Sequence, residues 1–560
     1  MQQKILRILS VFLIISMITG CGTVMKMTGD LVGNLLTQST DDLSTASIQV
    51  YFMRNVYPKE VGTVDVDYFE ETWRPGDNMV FVSFLKREGA GMYKIDGTVT
   101  IDGTVVEHIA NGFYGKWLDA DDISPKKVSI KTTRGDYAEF TVAPPPPIKI
   151  KSVNGSSSNA VINLEEDFTL EMESPNTNED TEFVVSMVGT AMGVTAFMDY
   201  AILKYQDKIT VPQAIWTNAL TAFAPNEGPN WLKIERFNVV PSNVTGVGAA
   251  QIVGQSLDCF PVTIEGEVDE TIFGTTSNFG ARFQEDIEID DANFSVDLSK
   301  PTAFIGRPIS SGKKFGVASF TVRATKLQQS RSKTSSSTTY AGNYKTTTTV
   351  TTTTTRTFPT LPDAYWESLV NKLYADFENV LLDNYNIQLI PIEDVVSAPS
   401  YKDLEAISDT ITVVEVEKSY KNTKNLIPTT FSAILDNISS TFASDRIDSR
   451  LINELGVDGL ISVTIDLEMP WDSFTLTPRM SLRISGGPNG YKAGPTIYNQ
   501  GLIVGSGREI DEAKMDAEHI MDILPGVIRQ DELMQALDMG MKGLEKEAAA
   551  MSYEKIWNLK

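Results

Sequence analysis

Histidine and cysteine are almost missing from this 560-residue sequence, which has two of each: His108, His519, Cys21 and Cys259. A serine or cysteine nucleophile needs an imidazole or an equivalent base beside it, so there is little material for a hydrolytic triad. Positive charge is the second shortage, with 48 Lys and Arg against 73 Asp and Glu and a formal net charge of −25. Nucleic acids and anionic lipids both call for a basic face that displaces counterions, so neither is expected as a partner. The third shortage is of long apolar runs. Beyond Cys21 the best candidate, Val184 to Leu203, is rich in small residues and broken by Asp199, so it does not read as a bilayer-spanning helix. Its Gly189-x-x-x-Gly193 spacing is accordingly taken as a turn among packed strands and not as a helix-pairing face. At 42% hydrophobic and 22% charged, the chain is ordinary globular material, and its length predicts about three or four domains.

The first 21 residues have their own pattern. Lys4 and Arg7 precede an apolar run (Ile8, Leu9, Val11, Phe12, Leu13, Ile14, Ile15), and small residues lead to Ile18-Thr19-Gly20-Cys21. This is signal-peptide grammar, because the run is too short to span comfortably. The final four residues resemble the lipobox of bacterial lipoproteins. That resemblance implies cleavage before Cys21, a thioether to diacylglycerol at its sulfur, and acylation of the new amine. Several acyl chains anchor stably where one does so marginally, since each buried methylene contributes about 0.8 kcal/mol. Gly22, in place of Asp, is more like outer-membrane sorting than inner-membrane retention, and the membrane face stays open. With Cys21 lipidated, Cys259 is the one remaining thiol, no intramolecular disulfide can form, and a Cys beside Phe260 and Pro261 is expected to be a small buried hydrophobe.

Composition shifts divide the rest. A signal peptide at 1–20 and a lipidated tether at 21–46 are followed by a β-sandwich at 47–143, where short period-two runs alternate with Pro75-Gly76-Asp77, Asp96-Gly97 and Asp102-Gly103. Pro144 to Pro147 are expected to form a stiff spacer. A second β-sandwich is assigned to 148–300, where Phe168 to Pro212 resembles an Ig-like bacterial surface module with a helical insertion near Ala214 to Ala222. The period then changes. Strands at Phe315 to Val322, Ile387 to Ile392, Leu460 to Leu467, Arg479 to Ile484 and Ile497 to Val504 surround two helices, Leu361 to Asp383 and one ending at Leu455-Gly456. That order predicts an α/β (α+β) domain with a mixed sheet at 312–510. A helical tail at 511–560 is expected to break at Pro525-Gly526. The Ser/Thr-rich insertion 328–357 is either a polar β-hairpin arm that pairs with a neighbour or a disordered, O-glycosylated loop; with Thr or Ser at nearly every position it cannot face lipid.

Within 312–510, Lys314-Phe315-Gly316-Val317-Ala318, the long helix, Ile387 to Ile392 and Leu455-Gly456-Val457-Asp458-Gly459-Leu460-Ile461 resemble the periplasmic α/β domain shared by curli-secretion lipoproteins and the TolB N-terminal domain. The resemblance rests on a pattern of elements. The long Ser/Thr insertion and the two preceding β domains depart from it, and they put a pore-forming role in doubt.

No chemical motif reaches a full signature. Gly505-Ser506-Gly507-Arg508 lies between strand and helix but lacks the glycine fingerprint and the Walker lysine, so a turn with Ser506 as a helix cap is expected. Asp119 to Asp122, Asn178 to Asp180 and Asp286 to Asp291 are acidic loops without the spaced Asp-x-Asp-x-Asp-Gly of a calcium site. Arg134-Gly135-Asp136 matches an adhesion tripeptide within an expected hairpin turn. The expectation is a non-enzymatic envelope lipoprotein, structural or assembly-related, held to the membrane by lipid on Cys21, with neither cofactor nor metal, partnered by envelope proteins or by copies of itself. Two alternatives stay open. One is a glycan- or host-binding surface using Tyr68, Phe69 and Trp73; the other is an envelope hydrolase with carboxylates gathered from separate strands.

Overall fold

The computed structural model describes residues 37–58, 61, 74–86, 91–110, 112–175, 181–191, 194–213, 215, 230–242, 244–266, 282–300, 306–325, 331–341, 344–354, 358–404, 414–426, 447–469, 474–488 and 495–550. Cys21, the tether through residue 36, the expected insertion near Ala214 to Ala222 apart from Ile215, and the last ten residues lie outside them. The molecule is mostly β, in several sheets, with helices closing the chain.

In the first unit, β1 (Ala46–Arg54), β2 (Asn78–Lys86) and β3 (Phe113–Leu118) are antiparallel neighbours, with Val50 opposite Val82 and Val82 opposite Tyr114. A second sheet of four strands, 137–142, 126–132, 97–101 and 104–106, faces them. Its strands alternate strictly, so Val128, Ile130, Phe140 and Val142 point inward onto Ile48, Phe52, Val80 and Phe84, while Lys127, Lys131 and Glu139 stay in solvent.

The second unit repeats this plan. The strands β4 (Glu182–Ala191), β5 (Val194–Lys204), β6 (Asn230–Pro241) and β7 (Ala249–Glu265) face a three-stranded sheet of 149–153, 168–173 and 208–211. Phe183, Leu232, Ile234, Phe260 and Val262 meet Ile150, Phe168 and Leu170 between the layers. The glycine-containing stretch from 184 to 203 is the antiparallel β4–β5 hairpin.

The long strand β7 joins the two units. Its first half runs parallel to β1, from Ala249 opposite Ser47 to Ser256 opposite Arg54, and its far end pairs with 160–163, so two separate cores share one sheet. The tetraproline packs on this strand and does not stand free as a spacer. Pro145 is buried, its carbonyl accepts from Arg54 Nη1 at 3.1 Å, and a Cβ on Gly254 would lie 3.3 Å from its ring. Just after the prolines, the Ile148 and Ile150 amides donate to Ser256 and Asp258 of β7 at 3.0 and 2.8 Å.

The C-terminal unit comprises β8 (Arg282–Ile289), β9 (Ala292–Ser299), β10 (Lys314–Thr325), the hairpin β11 (Arg331–Ala341) and β12 (Tyr344–Thr354), α1 (Asp363–Tyr385), β13 (Gln388–Leu389), α2 (Ile392–Ser397), α3 (Pro399–Asp403), β14 (Val414–Ser419), α4 (Ile447–Leu455), β15 (Gly459–Glu468), β16 (Thr475–Pro488), β17 (Pro495–Gly505), α5 (Ala517–Ile528) and α6 (Gln530–Ala550). The sheet order is β8-β9-β17-β16-β15-β10-β13, parallel where β10 meets β15 and β13 and antiparallel elsewhere, with β14 antiparallel along the end of β10. One face is covered by α1, α5 and α6, the other by α2, α3 and α4. The α4 helix ends at Gly456, whose φ of +59° suits glycine. The Gly456 and Val457 amides bond back to Asn453 and Ile452, closing the last turn.

Four local expectations change. The hairpin β8–β9, placed by the sequence in the second sandwich, bonds to β17 from Phe294 opposite Gly505 to Leu298 opposite Gly501. Its apolar face (Phe283, Phe294, Val296, Leu298) lies beneath α6, where Gly540 and Gly543 permit close approach: a Cβ there would meet Val296 at 2.8 Å and Phe283 at 2.4 Å. Pro525-Gly526 does not break the tail but lies inside α5. The backbone donor that Pro525 lacks would have gone to the Met521 carbonyl, which instead accepts from the Tyr365 hydroxyl of α1 at 3.0 Å. The chain turns at Arg529, φ +46°. Of the strand expected at Ile387 to Ile392, only Gln388–Leu389 pairs; Pro391 then starts α2, and Ile392 and Val395 are buried at helical spacing. Ser506 caps no helix: its hydroxyl and amide tie the turn to the Asn293 backbone, while Asp511 caps a short turn at 512–514 and Asp516 caps α5.

Candidate functional site

The densest buried polar cluster among the described residues lies near the carboxyl ends of the parallel pair β10 and β15. A register shift between Val317 and Ser319 reverses the alternation of β10, so Phe320, Val322 and Ala324 enter the α1 side while Ser319, Thr321 and Arg323 turn to the other face. There Arg323 meets its cross-strand neighbour Asp466 as a fork, Nε to Oδ1 at 2.6 Å and Nη2 to Oδ2 at 2.9 Å, with the two side chains 2% and 4% exposed.

Residues 419–426 form a strap over this cluster. Ser419 Oγ lies 2.9 Å from Thr321 Oγ1, and Thr423 Oγ1 accepts from the Phe320 amide at 3.1 Å. Asn425 accepts from Thr464 Oγ1 at 3.3 Å and donates to Glu417 at 3.4 Å, and the Leu426 amide reaches Ser319 Oγ at 3.2 Å. Lys424 Nζ donates to the carbonyls of Tyr401, Lys402 and Leu404 at the end of α3. Tyr420 stacks on Tyr374 of α1 with ring centroids 3.9 Å apart, and Lys421 and Asn422 are held at φ +45° and +63°. With the guanidinium on both its oxygens, Asp466 is engaged as an ion-pair acceptor. The cluster locks strand register and fixes the strap.

The residues singled out by sequence do not meet one another. Cys259 is half-buried on β7 opposite Lys233, and burial pushes its thiol pKa up, leaving little thiolate. His108 belongs to the first sandwich, where its Nε2 accepts from the Gly112 amide at 3.2 Å and burial, aided by Lys94, lowers its pKa. His519 is in α5, paired with Asp516 at 2.7 Å. Arg134 and Asp136 are both used internally: Arg134 Nη1 holds Asp42 at 2.8 Å and Asp136 accepts the Leu43 amide at 3.2 Å. In the third acidic run, Asp291 takes a fork from Arg529 at 2.6 and 3.2 Å. Among the described residues, no three His, Cys, Asp or Glu converge in the manner of a metal site. Tyr68, Phe69, Trp73 and the run Asn178 to Asp180 lie outside them.

The acidic loop 119–122 is organised around a lysine and an asparagine. Asn78 Nδ2 donates to the carbonyls of Asp119, Ala120 and Asp122, and Lys126 Nζ reaches both oxygens of Asp122 at 2.7 Å and Asp102 at 3.4 Å. The Lys126 hydrogen bond holds Asp122 below the usual carboxylate range; burial opposes the charge of Lys126, but the two acids overcome it and raise its pKa. The acids are about a third exposed, so screening trims the effect. Lys126→Met is expected to destabilise the first sandwich by about 1–2 kcal/mol. Asp122 is stabilising above its unfolded pKa and loses that contribution as pH falls through its lower folded value. The stability gap between parent and variant should therefore narrow as pH falls through and below the ordinary carboxylate range. Amide hydrogen exchange resolved to 126–132 and 137–142, compared between parent and variant at neutral and acid pH, checks both statements.

No family model matches the chain, and no curated protein matches it.

Proposed function

We propose that this protein is a membrane-anchored lipoprotein of the bacterial cell envelope, acting without catalysis as a structural or assembly component that binds other proteins. One observation carries the proposal: Ile18-Thr19-Gly20-Cys21 stands behind a charged start and a short apolar run, the order a lipid-modified cysteine needs. The architecture is compatible with it. Two β units precede a helix-covered mixed sheet, an order that suits the resemblance to Ig-like modules and to the curli-secretion and TolB N-terminal domain, and the strap and fork at Arg323–Asp466 serve rigidity. A net charge of −25 keeps such a body away from anionic headgroups, so attachment falls to the lipid.

The test is Cys21→Ser in cells fed labelled palmitate. The parent chain should incorporate label and sediment with membranes, and the variant should do neither. Crosslinking before gentle extraction should then capture envelope proteins or further copies of the chain. A variant that still pellets and still takes up label removes the anchor from the account, and a chain that crosslinks to nothing removes the assembly role.

A further inference from the structure

Two elements of the C-terminal unit with open edges among the described residues, the strand β8 and the hairpin β11–β12, carry opposite charge. The strand β8 ends the large sheet and pairs only with β9. Glu285, Asp286 and Glu288 along it are exposed, and among the described residues none is in an ion pair. The hairpin β11–β12 is a sheet of two strands, laddered from Arg331 opposite Thr354 to Ala341 opposite Tyr344 and joined to no other strand. In a chain of net charge −25, no Asp or Glu occurs between Asp297 and Asp363, while Lys326, Arg331, Lys333, Lys345 and Arg356 fall in or beside the hairpin.

We infer that the basic hairpin of one copy adds as strands to the acidic β8 edge of a second copy. A lone two-stranded hairpin is only marginally stable in water, and an open, long strand edge invites pairing. Docking gives the hairpin its third strand and gives β8 its missing neighbour. Backbone hydrogen bonds supply the contact, and the charges select the register and the partner. The Thr-rich strands suit this use, because their side chains favour an extended backbone and bring no competing carboxylate. The molecule's own β8 is poorly placed as the target: it lies five strands from β10, about 24 Å at the usual spacing, while in sequence the hairpin begins six residues after β10 ends and α1 begins nine residues after the hairpin ends. Contact between two different surfaces makes the association head-to-tail, giving rings or chains of copies. The inference needs the folded body alone and does not rest on lipidation of Cys21.

Sedimentation velocity of the full chain in neutral detergent, over a range of concentrations and at low and high salt, tests it. The expected result is concentration-dependent self-association that weakens about tenfold or more at high salt. Lys333→Glu with Lys345→Glu should abolish it, as should Glu285→Lys with Glu288→Lys, each without changing the circular dichroism spectrum. Mixing the two variants should restore association, because each arm then faces an edge of opposite charge. Chains that stay monomeric throughout, association indifferent to both charge reversals, or a mixture that fails to reassociate would each overturn the inference. Protection, in the monomer, of those β8 amides that do not bond to β9 would do the same, since the molecule's own arm would then occupy the edge.

Discussion

Asp466→Ala is expected to cost the C-terminal unit about 3–5 kcal/mol, because it strands the Arg323 guanidinium in a site where only 2% of that side chain reaches solvent. The loss should exceed the net worth of the intact pair, since the pair's stability already includes the desolvation of both charges. The double variant Arg323→Met with Asp466→Leu should therefore recover most of the stability. Several units unfold in this chain, so one bulk transition is a poor gauge. Hydrogen exchange resolved to β10, β15 and the strap 419–426 is the measurement, with the single variant opening all three. Equal loss in the single and double variants would mean that the stranded charge is not the source of the cost.

The α1 helix is legible in the sequence because its stripe is long and its partners lie on one face. Trp366, Val370, Leu373, Phe377 and Leu381 recur at helical spacing and are buried; Leu369 and Val380, on the margins of the stripe, are half-buried. The strand β15 is equally plain on its apolar side, where Ile461, Val463, Ile465 and Leu467 alternate. Its other side misleads. Thr464 and Asp466 have the alternation of a solvated face, yet both are buried beneath the strap, whose Asn425 stands 39 residues before Thr464, and no local signal marks that. Arg323 gives a weak hint, a lone charge inside an apolar strand, but the shift at Val317/Ser319 that turns it toward Asp466 cannot be read from period alone. Pairings across long separations are also hidden. Phe294 meets Gly505, and Ala250 meets Ile48, so both the placement of the β8–β9 hairpin and the sheet shared by the two sandwiches depend on contacts far apart in sequence. The tetraproline reads as a spacer because stiffness is local, while the groove at Gly254 that receives Pro145 lies over 100 residues away.

Trp366→Ala should be as damaging as breaking the fork, by a different route. The indole is 1% exposed, lies beside Phe358 with ring centroids 6.1 Å apart, and fills the layer between α1 and the sheet. Removing it is expected to destabilise by about 3–5 kcal/mol through lost transfer energy and a cavity that rigid neighbours cannot fully close. Next to it, the Tyr365 hydroxyl satisfies the Met521 carbonyl left open by Pro525, so loosening α1 should also raise exchange in the first half of α5. Leu382, on the opposite face of α1 and 45% exposed, is the control: alanine there should change stability by less than about 0.5 kcal/mol. The same variant tests how far cooperativity extends. The first sandwich has its own core and meets the second along β7 and the residues 244–248 just before it, so amides at Val128 and Ile130 should keep their protection when Trp366 is lost. If they open together with those of β10, the three units form one folding unit, and the separation of cores has no thermodynamic counterpart.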